Sequence, residues 1–398
     1  MTRATRWSAL LALVAGAAAV AALVGTSGGN AAPTAKKKVV IGWAFDSTGN
    51  MKPFDTPALA AAKIRVAQIN AQKKGTVQFQ IKTCDTESNN PAKAKSCALS
   101  LLGGGADVIF TTCDVDYATP VVQEALKRGK LAIAPCIGTD QMGPKRFGKQ
   151  GVRAFSFGNV AQDEGSAMAQ YAWSRGWKTA GLATNTLLVY FKNVVQAFEA
   201  RWKQLGGKIV AKESYQSLGG SNVQNAVSRL NNVKADVIVT STAGAFGALS
   251  TLITGLRTLG NKTPVLNSWA GDGNYWLPKR PKVTNYYFVT FASIFGDDPV
   301  PAVNKLAKQL KAGTGGFITG SAAIDGVATA IRRSRGSTRG VVLAAQLERF
   351  RRVPTLSGLV SFSKSLHTVF GRQYRVISIN DNKAHRVGTV TAKVVPKI

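Results

Sequence analysis

Histidine is almost absent from this 398-residue chain, and its four cysteines include no Cys-x-x-Cys pair. The only histidines, His367 and His385, lie more than 200 residues beyond the last cysteine. Zinc sites are built from closely spaced Cys and His ligands, so this scarcity argues against a metal centre. We expect neither a metal nor a cofactor.

Two common catalytic motifs are also missing. Neither H-E-x-x-H nor G-x-x-x-x-G-K-[ST] occurs in the sequence. The stretch "SFSK" (361–364) has Ser-x-x-Lys spacing, but it lacks the motifs that accompany such a serine. "LGGGAD" (102–107) leads from a predicted helix into a strand, which is the wrong side for a phosphate-binding loop. We therefore expect no catalytic residues and no enzymatic activity.

Long apolar runs are missing except at the N-terminus. There, Arg3 and Arg6 precede an uncharged apolar stretch to Val24, and a region of small residues with Ala31 and Ala32 follows. This pattern predicts a signal peptide over residues 1–32, cleaved near Ala31 or Ala32, and export to the periplasm or cell surface. A retained membrane anchor is the alternative, since the run nearly reaches the ~17–25 residues of a spanning helix. No cysteine near the cleavage region offers a lipid-attachment site.

Acidic residues are few: 20 Asp and Glu oppose 51 Lys and Arg, for a formal net charge of +31. Such a balance favours anionic partners such as nucleic acid, wall polymers or lipid headgroups. Denser basic runs occur at 36–38, 279–282 and 332–340. Export and the lack of a nucleic-acid-binding motif argue against nucleic acid, which leaves association with anionic envelope material as the interpretation.

An oxidising compartment favours disulfides over free thiols. Four cysteines allow three pairings, and we favour Cys84–Cys97 together with Cys113–Cys136. The first bond would tie a strand end to the following helix, and the second would join the ends of two neighbouring strands.

Two series of alternating strands and helices follow the N-terminal stretch. Short apolar runs predict strands of the first series at 39–45, 77–83, 107–112 and 131–135, and of the second at 178–184, 208–214, 236–242 and 263–269. The stretches between them have helical periodicity, and a strand at 285–291, more helices and a C-terminal hairpin complete the pattern. Such alternation predicts an α/β fold with two parallel sheets.

Small polar residues follow the strands of the first series. They are "FDSTGN" (45–50), "TTCDVD" (111–116) and "CIGTD" (136–140). Ligands of open parallel sheets bind beyond the carboxyl ends of the strands, where loop amides and hydroxyl groups can hold them. The alternative is that these Thr and Asp residues only cap helices.

At these residues the chain resembles a known family. "VVIGWAFDSTGNMKPFDTPALAAAKIRVAQIN", "CDTESNNPAKAKSCA" and "SGLVSFSKS" are similar to the corresponding segments of type I periplasmic solute-binding proteins, especially the Leu/Ile/Val-binding group of ABC importers. The resemblance implies two doubly wound parallel-sheet lobes, joined by three crossovers near residues 157, 291 and 353. Lobe I would comprise 37–157 and 291–352, and lobe II 158–290 and 353–398. The lobes would close on a small molecule by a hinge motion.

The resemblance also implies a ligand site in the cleft. The positions that match the family's binding residues are Thr48, Phe54, Val115, Asp116, Cys136, Gly138, Thr139, Tyr190 and Phe317.

Three departures from the family affect this site. "DVD" (114–116) replaces a serine run, Ala243 replaces a tyrosine, and Ala270 stands at the position of an acid, for which Asp272 is a shifted substitute. Asp114, Asp116 and Asp272 would then meet a cationic or polyhydroxylated ligand. Trp269, Tyr275 and Trp276 would supply a stacking face, or they fill the interface between the lobes.

The sequence as a whole favours an exported, monomeric binding protein that delivers a small polar, amino-acid-like solute to the membrane subunits of an ABC importer. The alternative is a ligand sensor or binding protein attached to the envelope without a transport role. High positive charge and the missing lipid-attachment cysteine motivate this alternative.

Overall fold

A computed structural model describes residues 36–216 and 221–398. The predicted signal peptide and its cleavage site near Ala31 or Ala32 lie outside the described residues. Within the described chain, the predicted alternation of strands and helices is confirmed. The first series consists of β1 (Lys37–Phe45), α1 (Lys52–Asn70), β2 (Val77–Asp85), α2 (Pro91–Gly103), β3 (Val108–Phe110), α3 (Val115–Lys127), β4 (Leu131–Ala134), α4 (Pro144–Phe147) and β5 (Ala154–Asn159).

The first sheet is parallel and has helices on both faces. Its strand order is β13-β5-β4-β3-β1-β2, where β13 (Thr368–Val369) comes from late in the chain. In β1, Val39, Ile41 and Trp43 pack in one core cluster with α1 and α10 (Phe317–Arg333). Ala44 packs in the opposite cluster, with residues of α2 and α3. Successive strand residues face opposite sides of a sheet, so this near-continuous apolar strand is buried on both faces.

The second series forms its own sheet. It consists of α5 (Ala161–Ser174), β6 (Thr179–Asn185), α6 (Val189–Gln204), β7 (Lys208–Tyr215), α7 (Ser221–Asn231), β8 (Val237–Thr240), α8 (Ala248–Thr258), β9 (Val265–Asn267) and β10 (Tyr286–Thr290). The strand order is β15-β14-β10-β9-β8-β6-β7, with β14 (Tyr374–Asn380) and β15 (Lys383–Val390) added at one edge. Strands β6 to β10 pair in parallel, whereas β14 is antiparallel to both of its neighbours.

The C-terminal third of the chain returns to the first sheet and then completes the second. Its remaining elements are α9 (Pro301–Leu310), α11 (Gly340–Leu347), β11 (Val353–Thr355) and β12 (Gly358–Val360). Helix α10 packs against α1, and β13 pairs with β5. The chain therefore passes between the sheets three times, after β5, after β10 and after β13. Two doubly wound α/β lobes joined by three crossovers are the predicted fold, and the structure confirms it.

The residue boundaries of the lobes stay a prediction. Strand pairing nevertheless places Thr368 and Val369, which fall in the predicted second lobe, beside β5 of the first sheet. The third passage between the sheets thus lies after Val369 and before Tyr374, not near residue 353. The hairpin of β11 and β12 pairs only with itself, so it contains no strand of the second sheet.

Both favoured disulfides are present. Cys84 at the end of β2 bonds to Cys97 in α2, and Cys113 after β3 bonds to Cys136 after β4. The second bond joins two loops at the carboxyl edge of the first sheet, because β3 and β4 are neighbouring parallel strands. None of the helices in the described ranges has the length and apolar character that crossing a membrane requires.

Candidate functional site

A small cavity lies where loops of the two lobes meet at the carboxyl ends of the strands. Loops after β1 and β3 contribute Met51, Phe54, Cys113 and Asp114. The second lobe contributes Leu188, Tyr190, Phe191, Ala243, Phe246, Trp269 and Ala270. The free volume is about 20 Å³, which is room for about one water molecule. A solute of amino-acid size therefore requires the lobes to move apart.

A larger groove of about 580 Å³ lies elsewhere, between α1, α9, α10 and β11. It is lined by the sides of helices rather than by the loops that follow strands. Its central charged pair, Arg65 and Asp325, is already joined at 2.6 Å between Nε and Oδ1. Ligands of parallel α/β sheets bind at the strand ends, so the small cavity between the lobes is the candidate site.

Two buried acids shape the loop after β1. Asp46 accepts hydrogen bonds from the backbone amides of Thr48, Gly49 and Met51, which turns the chain into α1. Asp55, in the first turn of α1, accepts from the amides of Asp46 and Cys113 at 2.9 Å each. Asp55 thereby fixes the loop after β1 against the loop after β3. Burial raises the pKa of the Asp55 carboxyl to about 7.

Asp114 is the N-cap of α3. Its Oδ1 accepts hydrogen bonds from the amides of Asp116 at 2.9 Å and of Tyr117 at 3.3 Å. Burial, together with the nearby negative charge of Asp116, raises the pKa of the Asp114 carboxyl to about 7. The residue is only 4% exposed, so its carboxyl group lies in the wall of the cavity and not in bulk solvent.

Trp269 is central to the second lobe's side of the cavity. It opens a short 3-10 turn (Trp269–Gly271) after β9, and its backbone amide donates to Oε1 of Glu164 at 2.6 Å. Oε2 of the same carboxyl accepts from the hydroxyl of Tyr190 at 2.8 Å. Burial raises the pKa of Glu164 to about 8. One carboxyl group on α5 therefore positions two aromatic residues of the cavity wall.

Five of the residues predicted from the sequence line the cavity: Phe54, Asp114, Tyr190, Ala243 and Trp269. Three more lie beside it. Cys136 is bonded to the lining residue Cys113, and Gly138 lies against the ring of Tyr190. Asp116 stands at the edge, where Oδ1 pairs with Nη1 of Arg146 at 2.9 Å and Oδ2 accepts from the amide of Val189 at 3.4 Å.

The other five predicted residues are not in the cavity lining. The Thr48 hydroxyl lies 3.4 Å from that of Ser88 at the surface, and Val115 packs in the core with residues of α2 and α3. Thr139 accepts a hydrogen bond from Thr368 through its carbonyl oxygen, and Phe317 is fully buried at the start of α10. None of these four residues belongs to the cavity lining.

Asp272 also lies behind the cavity wall. Its Oδ2 accepts from the hydroxyl of Thr290 and from the amide of Gly315, each at 2.6 Å. Burial raises the pKa of this carboxyl to about 7. Of the predicted stacking residues, Trp269 lines the cavity, Tyr275 is exposed at the surface, and Trp276 packs edge-on against Tyr286.

The sequence reasoning missed five residues of the site: Met51, Glu164, Leu188, Phe191 and Phe246. Ala270, which the resemblance placed at the position of an acid, lines the cavity. Glu164 had a usable signal, because it falls in the first turn of a helix directly after a strand of the first sheet, where acids favour the helix N-terminus. The apolar residues had none, since their patterns are those of ordinary core positions.

Replacing Gly138 with valine should oppose closure of the lobes. A Cβ atom at Gly138 would lie 2.5 Å from Cε2 of Tyr190, which belongs to the other lobe. Overpacking costs about 1–3 kcal/mol, so we expect ligand affinity to fall about ten- to a hundredfold. Isothermal titration with a solute that binds the unaltered chain would measure the affinity. X-ray scattering of the loaded protein would give the radius of gyration, which reports closure of the lobes.

The matched control is Gly103→Val at the end of α2, where a Cβ atom meets no heavy atom within 4 Å. Its affinity and radius of gyration should equal those of the unaltered chain. If Gly138→Val also leaves both unchanged, the Tyr190 ring does not pack against Gly138 when the ligand is bound.

Comparisons with known proteins show a matching family model and solved structures of similar fold. A family model described as periplasmic binding protein matches residues 38–384. Among solved structures, the branched-chain amino acid binding protein LivJ from Streptococcus pneumoniae, in complex with isoleucine, is similar with a TM-score of 0.74. The two share 19% identity over 89% of this chain and 99% of that one.

Two other solved structures are also similar in fold. The leucine-binding protein LivK from Thermotoga maritima has a TM-score of 0.74 at 15% identity, over 89% of this chain and 99% of that one. A solute-binding protein from Rhodopseudomonas palustris, in complex with 3,4-dihydroxybenzoic acid, has a TM-score of 0.71 at 14% identity, over 91% and 99%. No curated protein sequence matches this chain significantly. In the described ranges, no group of three or more His, Cys, Asp or Glu side chains could hold a metal ion.

Proposed function

The chain belongs to the periplasmic binding protein family, and from this premise we propose that it captures a small polar solute between its lobes and delivers it to an ABC importer. Closure around the solute would be a hinge motion about the three passages between the sheets. The membrane subunits of an importer would then receive the closed, loaded form.

The observation that supports this proposal most directly is the convergence of the cavity wall. Its lining comes from loops after β1 and β3 of one sheet and from residues around α6, β8 and β9 of the other. A solute held there touches both lobes at once, so its binding energy favours the closed arrangement. No such coupling would arise from a pocket formed within one lobe.

Ligand capture can be tested by thermal unfolding of the mature chain. A panel of amino acids, amides, polyamines, sugars and aromatic acids would be screened, and hits confirmed by isothermal titration. A true ligand at 100 times its dissociation constant adds about 2.7 kcal/mol to the free energy of unfolding. If no compound of the panel raises the melting temperature, solute capture is contradicted.

Delivery needs a separate measurement in cells. Uptake of the labelled solute would be compared between cells with and without the gene for this chain. Restoration by the unaltered chain but not by Gly138→Val would support transport. Normal uptake in the deleted cells would instead favour a sensor with the same fold.

A second candidate function is attachment to anionic envelope polymers, and a dense arginine segment favours it. Between residues 332 and 352 seven arginines are exposed: Arg332, Arg333, Arg335, Arg339, Arg349, Arg351 and Arg352. None of them forms an ion pair with a described residue. Guanidinium groups bind phosphate and carboxylate in pairs of hydrogen bonds.

Attachment can be tested by retention of the chain on purified cell wall at increasing salt concentration. Contact with several anionic groups predicts that retention falls steeply with salt. Replacing Arg332, Arg333, Arg335 and Arg339 with serine should abolish retention and leave ligand binding unchanged. Equal retention of this variant would contradict attachment through the arginine segment.

A further inference from the structure

The amides at the start of α3 are already occupied by the chain's own carboxylate. Helix N-termini hold ligand anions through free backbone amides, but here the amides of Asp116 and Tyr117 both donate to Oδ1 of Asp114. A ligand carboxylate at this point would find both amides occupied and would meet a like charge once Asp114 is ionised, which is unfavourable at short range. The first lobe's side of the cavity therefore disfavours a carboxylate.

The second oxygen of the same carboxyl group is free to act on a ligand. Oδ2 of Asp114 accepts none of the hydrogen bonds found in the described ranges, although the residue lines the cavity and is 4% exposed. The basic residue Arg146 pairs with Asp116 instead, at the edge of the site. The eleven residues that line the cavity include no Lys, Arg or His, so nothing in the lining neutralises Asp114.

The rest of the wall is aromatic. The rings of Phe54 and Trp269 have centroids 4.9 Å apart, and those of Tyr190 and Trp269 are 6.2 Å apart. Phe191 and Phe246 continue this surface, with centroids 6.0 Å apart. Nε1 of Trp269 is buried and has no hydrogen-bond partner among the described residues. Because it is a donor, it suits a hydroxyl or carbonyl oxygen of the ligand and not its ammonium group. The faces of aromatic rings attract cations, and they repel anions for the same reason.

A further acid lies directly behind this aromatic surface. Glu164 contacts both Trp269 and Tyr190. The site is thus an acidic and aromatic enclosure in a protein whose net charge is +31. Because burial raises the pKa of Asp114 to about 7 and that of Glu164 to about 8, a cation that enters the cavity would favour the ionised forms of both carboxyl groups.

We propose that the ligand is an organic cation without a carboxylate, whose ammonium group faces Asp114 and the rings of Phe54, Tyr190 and Trp269. This inference rests on the proposed function and specifies its substrate class. The apolar part of the cation would occupy the space between Met51, Phe191 and Phe246 once the lobes move apart. An α-amino acid would leave its carboxylate against Asp114 and would bind weakly.

The experiment compares compounds that differ mainly in charge. One set is choline, its neutral carbon isostere 3,3-dimethylbutan-1-ol and the related 3,3-dimethylbutanoate. The other set is benzylamine, benzyl alcohol and benzoate, with leucine added as a free amino acid. Isothermal titration of the mature chain with each compound gives the dissociation constants. We expect at least one cation to bind about tenfold or more tightly than its neutral partner, and the carboxylates to bind least.

Asp114→Asn isolates the charge, because asparagine caps a helix as well as aspartate does. We expect this variant to fold and to lose at least about tenfold in affinity for the cation. Asp381→Asn is the matched control, since among the described residues Asp381 pairs only with Lys282, at the surface. Its affinity should equal that of the unaltered chain.

The outcomes separate this inference from the proposed function. Tight binding of leucine or benzoate without binding of either cation would overturn the cation assignment and leave solute capture intact. Cation binding that is equal in Asp114→Asn and the unaltered chain would also overturn it. If no compound of either set binds, the cation assignment fails, whereas solute capture is decided by the wider panel of the thermal-unfolding screen.

Discussion

Replacing Asp298 with alanine should lower the free energy of unfolding by about 3–5 kcal/mol. The carboxyl group lies between β10 and α9 and forms a two-bond pair with Arg375 in β14. Oδ2 accepts from Nε at 2.9 Å and Oδ1 from Nη2 at 3.1 Å. The side chains are 0% and 6% exposed. Removing the acid leaves a buried guanidinium group without its partner, which costs more than the pair contributes.

The same carboxyl group also accepts from the amides of Ser293 and Val300. It therefore links the chain that leaves the second sheet after β10 to the strand that re-enters that sheet after β13. Because these are two of the three passages between the lobes, we expect Asp298→Ala to loosen the hinge as well. Hydrogen exchange at residues 291–300 should increase more than exchange in the first sheet.

Two further variants distinguish the ion pair from the backbone hydrogen bonds. Asp298→Asn keeps an acceptor for the amides but loses the charge, so its loss of stability should be smaller than that of alanine. Combining Asp298→Ala with Arg375→Met removes both charges. The double variant should lose less free energy of unfolding than the sum of the losses in the two single variants. Additive costs would show that the two side chains do not depend on each other. Chemical denaturation measures all of these values.

The parallel strands could be predicted because each is a short apolar run bounded by turns. The strand β5 was missed. It reads "AFSFGN", contains no β-branched residue and ends in glycine and asparagine, so its local propensity for a strand is weak. It forms a strand because Phe155 and Phe157 fill the core of the first lobe beside Phe362. Tertiary packing decides this element, and a single sequence does not show it.

Five of the residues predicted for the site line the cavity between the lobes, but the direction of the other side chains could not be predicted from the sequence. The loop at the end of the third predicted strand indicated Asp114, the resemblance indicated Phe54 and Tyr190, and Trp269 was one of the predicted stacking residues. Val115 was placed one residue from Asp114, yet it points into the core, because helical residues at adjacent positions face different directions. The cap formed by Asp114 depends on hydrogen bonds that the pattern "DVD" allows but does not specify.

The free energy of unfolding should fall by several kcal/mol as the pH rises from about 5 to about 8. Besides Asp325, five carboxyl groups of the described residues have raised pKa values, in each case mainly because burial disfavours the charged form. The values are about 6 for Asp163, about 7 for Asp55, Asp114 and Asp272, and about 8 for Glu164. Surface acids are already ionised in this pH range, so they do not contribute to the change.

The sign follows from proton binding. Between the ordinary value near 4 and the raised value, each group is protonated in the folded chain and ionised in the unfolded one. The folded state therefore binds more protons, and stability falls with pH by up to about 1.4 kcal/mol per unit for each group. The loss is complete above about 8. His367 acts in the opposite direction below its ordinary value, because burial lowers its pKa, but it is one group against five.

Glu164→Gln tests this explanation at one group. Glutamine keeps the size of the side chain and an acceptor for the amide of Trp269, but it carries no charge that burial could penalise. Its stability relative to the unaltered chain should therefore increase steadily from pH 5 to pH 8. Asp381→Asn, whose side chain is 60% exposed, should follow the unaltered chain throughout. If the curve for Glu164→Gln is parallel to that of the unaltered chain, Glu164 is already ionised in the folded state. The acid behind Trp269 and Tyr190 would then carry a full negative charge at neutral pH, and its attraction for a cation in the cavity would be stronger.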